Sequence, residues 1–346
     1  MSNKNITESV LFRKAYFSLQ NLAHGYKKKR EDESNRRKQF SIFDIDVLAQ
    51  PIPNWHSYYS PSLTSYGYSK IFSEYGNVKR LDGSVYVEHG LYFGNVTTRY
   101  IKRFNRKLIT YSDYREDYLN AYLTRDGLVG KKTVYKVGPY IHYAQPVFNN
   151  SVYEKQKAEL GRTLLVFPSH SLDELEATFD TDRFIEYISL HKSSFDTVLI
   201  CMHHSDIRMG RAQRYRDEGY RLVTAGHAND YFFLPRLKYI ISLADVTFSN
   251  NIGTHLGYCI YMGKPHCIFG QKVEMQSSNK QLLSKELSVR DAAARQEYAE
   301  VQQELFSLFA EYTEAINGKQ LERIAYLFGF EYVRSKDEIN DIFSSI

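Results

Sequence analysis

The chain has 346 residues, of which 43% are hydrophobic and 25% charged, and carries a net charge of +5 at neutral pH. That length suits about two domains of ~150 residues, and the apolar fraction supports buried cores rather than disorder. The mild positive balance gives no nucleic-acid signature and leaves anionic small molecules or a membrane surface as partners.

Aromatic residues make up 15%, with 29 Tyr and 21 Phe against one Trp. Tyrosine packs its ring and still offers a hydroxyl to a polyhydroxyl ligand. Cys201, Cys259 and Cys267 sit in or beside apolar runs without CxxC spacing, so reduced, packed thiols in a cytoplasmic protein are expected. The opening MSNKNITESV lacks the basic-then-apolar pattern of a signal peptide. No apolar run approaches the ~18 residues that would span a bilayer.

In chain order, residues 8–23 read as a short amphipathic helix. KKKREDESNRRK at 27–38 reads as a solvated loop of mixed charge, with contact to an anionic lipid surface or lipid-linked acceptor as a second reading. Residues 40–48 read as a strand, and 51–61, rich in Pro, Ser and Tyr, as irregular. A short strand at 84–87 runs into Glu88-His89-Gly90, and another strand is predicted over 132–141. From residue 163 the pattern becomes regular. Strands are predicted at 163–167, 197–202, 221–225, 245–248 and 266–269, and helices at 181–191, 207–218, 232–243 and 252–262. This alternation is the pattern of parallel βαβ units in a doubly wound layer. Ligands in such layers bind at the carboxyl ends of strands, and several strand ends here are polar: Ser169-His170, His203-His204-Ser205, Gly226-His227 and Ser249-Asn250. Residues 283–317 are polar and helix-prone, with two helices expected, and one or two more follow residue 321.

The stretch ADVTFSNNIGTHLGYCIYMGKPHCIFG at 244–270 is the most specific. It reads as strand, polar turn, helix, turn and strand. The arrangement aims the N–H groups of a helix N-terminus, with Ser249, Asn250 and Thr254, at one point, an environment that favours phosphate. His89 follows a strand and precedes a glycine, so its imidazole projects at the strand end as a candidate general base. Glu88 is its neighbour. His203 and His204 can donate to phosphate, and Arg208, Arg211 and Arg214 share a helical face suited to a diphosphate. His203, His204, Asp206, His227 and His255 share one domain, but none has metal-ligand spacing of the HExxH kind. Of two Asp-x-Asp triplets, Asp180 and Asp182 read as a helix cap and first-turn acid, while Asp44 and Asp46 fall in the expected 40–48 strand. P-loop, strand-coupled GxGxxG and GxSxG patterns are absent from the sequence.

With these residues in view, the second half resembles the donor-binding domain of GT-B glycosyltransferases, especially the bacterial surface-polysaccharide branch. That branch includes CMP-sialic acid and CMP-Kdo transferases and the CDP-glycerol phosphotransferases of teichoic acid synthesis. The resemblance covers roughly residues 160–272, and the first half only through Glu88-His89-Gly90. His204 stands where the family has proline, and Asn250 where it has a second serine. The resemblance implies an α/β fold of two Rossmann-like domains facing a central cleft, with C-terminal helices packing back across it. Expected boundaries are 1–150 for the acceptor domain, 151–275 for the donor domain and 276–346 for the helices. It implies that His89, with Glu88 beside it, deprotonates an acceptor hydroxyl. His203, His204, Ser249, Asn250, Thr254 and Arg208 are the expected phosphate-binding set, and Gly226, His227 and Asn229 the expected nucleobase loop. The implied reaction needs no metal or resident cofactor. A nucleotide-activated sugar is the co-substrate, and a glycan or lipid-linked glycan of O-antigen or capsule type is the acceptor, at the inner face of the plasma membrane. Polyol-phosphate transfer and sugar-nucleotide epimerisation are the alternatives on the same fold.

Overall fold

The computed structural model describes residues 25–52, 61–90, 92–93, 101, 104–172, 175–277 and 292–345, together with positions 15 and 19. Apart from positions 15 and 19, which are helical, the expected helix at 8–23 lies outside the described residues, as do most of the irregular 51–61 stretch and the start of the 283–317 stretch.

Helices are α1 (Tyr26–Arg37), α2 (Ile45–Leu48), α3 (Tyr68–Gly76), α4 (Asp113–Arg125), α5 (Asn150–Leu160), α6 (Thr181–Lys192), α7 (His204–Arg208), α8 (Ala212–Asp217), α9 (Phe233–Leu243), α10 (Thr254–Tyr261), α11 (Ala292–Leu308), α12 (Gly318–Phe328) and α13 (Lys336–Phe343). Strands are β1 (Val85–Val87), β2 (Lys107–Thr110), β3 (Thr133–Lys136), β4 (Thr163–Phe167), β5 (Glu176–Thr178), β6 (Thr197–Cys201), β7 (Arg221–Val223), β8 (Val246–Ser249), β9 (His266–Ile268) and β10 (Glu274–Gln276).

Two parallel sheets organise the chain. The first has the order β1-β2-β3, and the second the order β7-β6-β4-β8-β9. All five residues of β4, Thr-Leu-Leu-Val-Phe, are buried, as a central strand covered on both faces requires. The strand order reverses between β4 and β8, which makes the space beyond their carboxyl ends the topological switch point. Asp180 caps α6 by accepting from the Arg183 N–H, as its place in the sequence predicts.

The C-terminal helices return to the first sheet. Phe328 at the end of α12 lies over Gly257 of α10, where a methyl group would come within 2.1 Å of its ring. Ser112 donates to the Leu327 carbonyl. Phe343 of α13 stacks on Phe72 of α3 at 4.2 Å, and Lys107 of β2 donates to the carbonyls of Ile342 and Ser344. One apolar cluster therefore runs from Val85 and Tyr140 through Leu256 and Tyr258 to Phe328 and Phe343. The fold-class expectation is met: an α/β protein with parallel sheets on either side of a cleft and C-terminal helices packing back across it.

Several local expectations fail. The 27–38 stretch is not a solvated loop but helix α1, and Arg30 and Arg37 are interior. Arg30 donates to the carbonyls of Asn229 and Thr64, and Arg37 to those of Gln50 and Leu48. Those two arginines are engaged inside the protein, away from any lipid headgroup. The 40–48 stretch is a turn followed by α2, not a strand. Asp44 accepts from the Ser41 N–H and Asp46 pairs with Arg216. Thr224 and His227 donate from their backbones to Ile42 and Leu48, so residues 26–50 pack against the second sheet. The expected 207–218 helix is broken around Gly210 into α7 and α8. Of the two helices expected in 283–317, α11 is the one present among the described residues.

Candidate functional site

A cavity of about 330 Å³ opens at the switch point between the two sheets. Its walls come from both halves of the chain: Tyr66, His89 and Gly90 on one side, and His170, His203, Asn251, Thr254 and His255 on the other. Its size falls in the range of ligand pockets. Among the described residues the lining has no Asp, Glu, Lys or Arg.

His89 follows β1. Gly90 has φ +77°, and a methyl group there would stand 3.0 Å from the Thr254 hydroxyl. Glycine thus permits both the turn and the close approach of the His89 loop to the start of α10. Tyr66 holds the imidazole from the other side, stacking on it at 4.5 Å and 20°. Tyr66 has φ +54°, a strained conformation for a bulky residue, fixed by its N–H donating to Ala228 and by an edge contact with Phe233.

Glu88 does not join His89. Its carboxylate is interior, accepting from Thr110 at 2.5 Å and paired with Arg115 of α4 at 2.6 Å. Successive residues leaving a strand point to opposite sides, so Glu88 anchors α4 to the sheet while His89 enters the cleft.

Three imidazole nitrogens, Nδ1 of His89 and Nε2 of His203 and His255, are buried without a hydrogen-bond partner among the described residues. All three residues line the cavity. Unpartnered buried polar atoms are costly, so their convergence marks a place built for a polar ligand. His255 stacks on Phe167 at the end of β4 at 4.7 Å. His203 Nδ1 accepts from the Ser205 N–H, which leaves Nε2 as the N–H of the neutral ring, a donor. Thr254 supplies the first turn of α10, whose N-terminal N–H groups favour an anion.

The structure places several of the candidate residues away from the cavity. Ser249 is fully buried on β8, donating to the Asn251 carbonyl and bonded to His266 Nε2, outside the lining. Asn250 is also buried. It accepts from the Ser169 N–H and hydroxyl and donates to Gln271, tying two loops together. His204 lies behind His203, in tilted ring contact with it and with His227 at 4.1 and 4.3 Å. Arg208 is exposed and outside the lining. Arg211 is paired with Glu176 and Asp206, and Arg214 with Asp182 and Glu218. Gly226, His227 and Asn229 form no part of the cavity wall. That loop is covered by α1, and the interior Arg236–Asp230 pair lies beside it at 2.8 Å. Of the sequence candidates, His89, His203 and Thr254 meet in the cavity. Asn251, His170, His255, Tyr66 and Tyr258 join them. His170 and His255 were visible in the sequence at a strand end and a helix start, and only the fold turns them to the same point.

Burial holds these rings neutral. It lowers His89 to about 4, with a smaller push from His170. Burial, then His227, takes His204 to about 3, and burial, then His170, takes His255 to about 3. His203 is depressed by burial and then by His170. The unfolded chain, with imidazoles near 6.5, therefore binds more protons than the folded one below neutrality. Stability is complete above about pH 6.5 and falls as pH drops toward about 4. Melting temperature without ligand should decline between pH 7 and 5, above the range where carboxylates protonate. A constant or rising melting temperature over that interval would contradict the burial of these rings.

The imidazoles lie ring on ring, and among the described residues no three His, Cys, Asp or Glu side chains are grouped to hold a metal ion. No described helix is long and apolar enough to cross a membrane.

No protein-family model matches the chain, and no curated protein matches it. Among solved structures it is similar to the wall teichoic acid polymerase TagF, at 11% identity and TM-score 0.37, over 75% of this chain and 67% of that one. It is also similar to UDP-GlcNAc 2-epimerase from Neisseria meningitidis bound to UDP-GlcNAc, at 12% identity and TM-score 0.36, over 70% and 68% of the two chains. At such weak superposition neither likeness bears on what this chain does, and the description of its architecture rests on its own two sheets and the cleft between them.

Proposed function

We propose that this chain is a transferase that takes a sugar from a nucleotide-activated donor and passes it to a hydroxyl of a glycan acceptor, of the kind built into bacterial surface polysaccharides. The observation that carries the reading is the convergence of three buried, unpartnered imidazole nitrogens at the switch point of a doubly wound sheet. In this reading the leaving nucleotide phosphate lies at the start of α10. There it accepts from His203 Nε2, the Thr254 hydroxyl and the N–H groups of the first turn. His255 lines the same anion space. His89, neutral and lining the cavity, removes the acceptor proton as the acceptor oxygen bonds to the sugar and the glycosidic bond to the phosphate breaks. The developing negative charge is met by donors that the fold already holds in place, so they need no reorganisation as the charge forms. The set needs no metal bridge to the phosphate.

A thermal-shift series with CMP, CDP, UDP, GDP and dTDP, with and without EDTA, tests the reading. A nucleotide at 100 times its dissociation constant should add about 2.7 kcal/mol of stability, equally with EDTA. A shift abolished by EDTA would contradict metal-free binding, and the absence of any shift would contradict nucleotide use. Mass spectrometry of the product then separates sugar transfer from polyol-phosphate transfer, which adds phosphorus. Donor conversion without acceptor would instead indicate an epimerase.

A further inference from the structure

His170 was noted in the sequence only as part of a polar strand end, with no role of its own, yet it is placed where an incoming anion would meet it. It lines the cavity and is exposed to solvent. Its ring stacks on His203 at 4.3 Å and 26°, and so begins a row of imidazoles that continues through His204 to His227. Its Nδ1 faces the Ser171 carbonyl at 3.2 Å. A carbonyl only accepts, so Nδ1 carries the proton in the neutral ring and Nε2 keeps its lone pair. For Nε2 the described residues supply no partner. His203 has the opposite tautomer, with Nε2 as its donor. One ring of the stacked pair is thus a fixed donor, and the other can gain a proton without losing a bond.

Among the described residues the lining also offers no lysine or arginine as a counter-cation. Of the charged side chains nearby, Arg208 acts on His204 from the surface, outside the lining, and the others are paired. Asp206 of α7 accepts from the Ser171 N–H and hydroxyl and meets Arg211. Glu176 of β5 pairs with Arg211, and Glu274 of β10 with Lys272. On the other elements the facing groups are the uncharged Tyr66, His89, Thr254 and His255. Enclosing a phosphate against a wall without charge is costly unless a cation forms with it.

We propose that His170 is the switchable counter-cation of the cleft: a phosphate-bearing anion enters together with one proton from solvent, which settles on His170 Nε2. The proposal rests on the functional reading above only for the class of ligand. The imidazolium donates from Nε2 to the anion, keeps Nδ1 on Ser171, and loses the proton to solvent when the anion leaves. Imidazole is the side chain suited to such exchange near neutral pH. Its exposure gives the proton a path, which the buried Nε2 of His203 lacks.

The test is calorimetric titration of the whole chain with inorganic pyrophosphate, in buffers of different ionisation enthalpy. Wild type is compared with His170→Gln, so that the ligand's own proton change cancels. Wild type should take up about one proton more than the variant at pH 7.5, and its affinity should fall about tenfold more steeply per pH unit. His203→Gln should weaken binding at every pH while keeping the wild-type proton count. Equal proton counts in wild type and His170→Gln, or no pyrophosphate binding to wild type, would overturn the proposal. Pyrophosphate binding with the extra proton, but no response to any nucleotide, would leave this inference standing and remove the nucleotide reading. A nucleotide response with equal proton counts would do the reverse.

Discussion

Replacing His89 by Gln should lower turnover by about 10²–10⁴-fold, the range for loss of a positioned general base, while nucleotide binding and melting temperature stay near wild type. Each part of this expectation has its own ground. The imidazole lines the cavity, and its Nδ1 is buried without a partner among the described residues. Removing that nitrogen therefore breaks no hydrogen bond of the described fold, and glutamine refills most of the volume beside Tyr66. The phosphate donors assigned above, His203 and Thr254, belong to other elements and keep their own backbone supports, so binding should survive. Burial holds His89 at about 4 in the empty site, so any acidic limb it contributes to kcat/KM should lie near that value rather than near 6.5. Initial rates with a donor found by thermal shift, set beside the variant's nucleotide affinity, give the measurement. Full activity in the variant would end the assignment of His89 as base. Equal loss of binding and turnover would reassign it to ligand positioning.

The second large effect concerns stability. Arg115→Met should destabilise the protein by about 3–5 kcal/mol, because it strands a buried carboxylate. Glu88 is fully buried and accepts from Thr110 and Arg115. With the guanidinium gone, the buried carboxylate loses the ion pair that offsets its burial. That loss weakens the join between α4 and the first sheet, one residue from His89. The double variant Glu88→Gln/Arg115→Met should recover a large part of the loss, since replacing both partners of a buried pair costs far less than removing one. Urea unfolding of the three proteins decides the matter. A loss under about 1 kcal/mol in the single variant would place this pair among ordinary surface pairs.

The second half of the chain was legible because its strands are short apolar runs buried on both faces and its helices carry aliphatic stripes. Val246-Thr247-Phe248-Ser249 and Leu256, Cys259 and Ile260 signal their roles locally, and the observed elements follow the predicted ones to within a few residues. The first half was not, for a physical reason. In α4 the buried positions are Tyr114, Arg115, Leu119, Tyr122 and Leu123, and a stripe of tyrosines with a buried arginine has no clear apolar period. In α1 the interior positions are Arg30, Ser34 and Arg37, and the partners of the arginines, the carbonyls of Asn229, Thr64, Leu48 and Gln50, lie outside the helix. Charge in sequence reads as solvent exposure unless the acceptors are known, and these acceptors exist only in the folded chain.

The site divides in the same way. By itself the sequence determined the βαβ alternation, the polar strand ends, the helix start at Thr254 and the turn at His89-Gly90, because each depends on residues adjacent in the chain. Tertiary structure decided which of these polar groups share a space. It turned Glu88 inward to Arg115, sent Ser249 to His266, spent Asn250 on Ser169 and Gln271, and kept Arg208 at the surface. It brought His170 and His255 to the cavity in their place. The reason is that a strand end offers two faces and a helix start several directions, and a side chain's direction is set by the pleat and by what packs against it. Neither is written in the order of the residues.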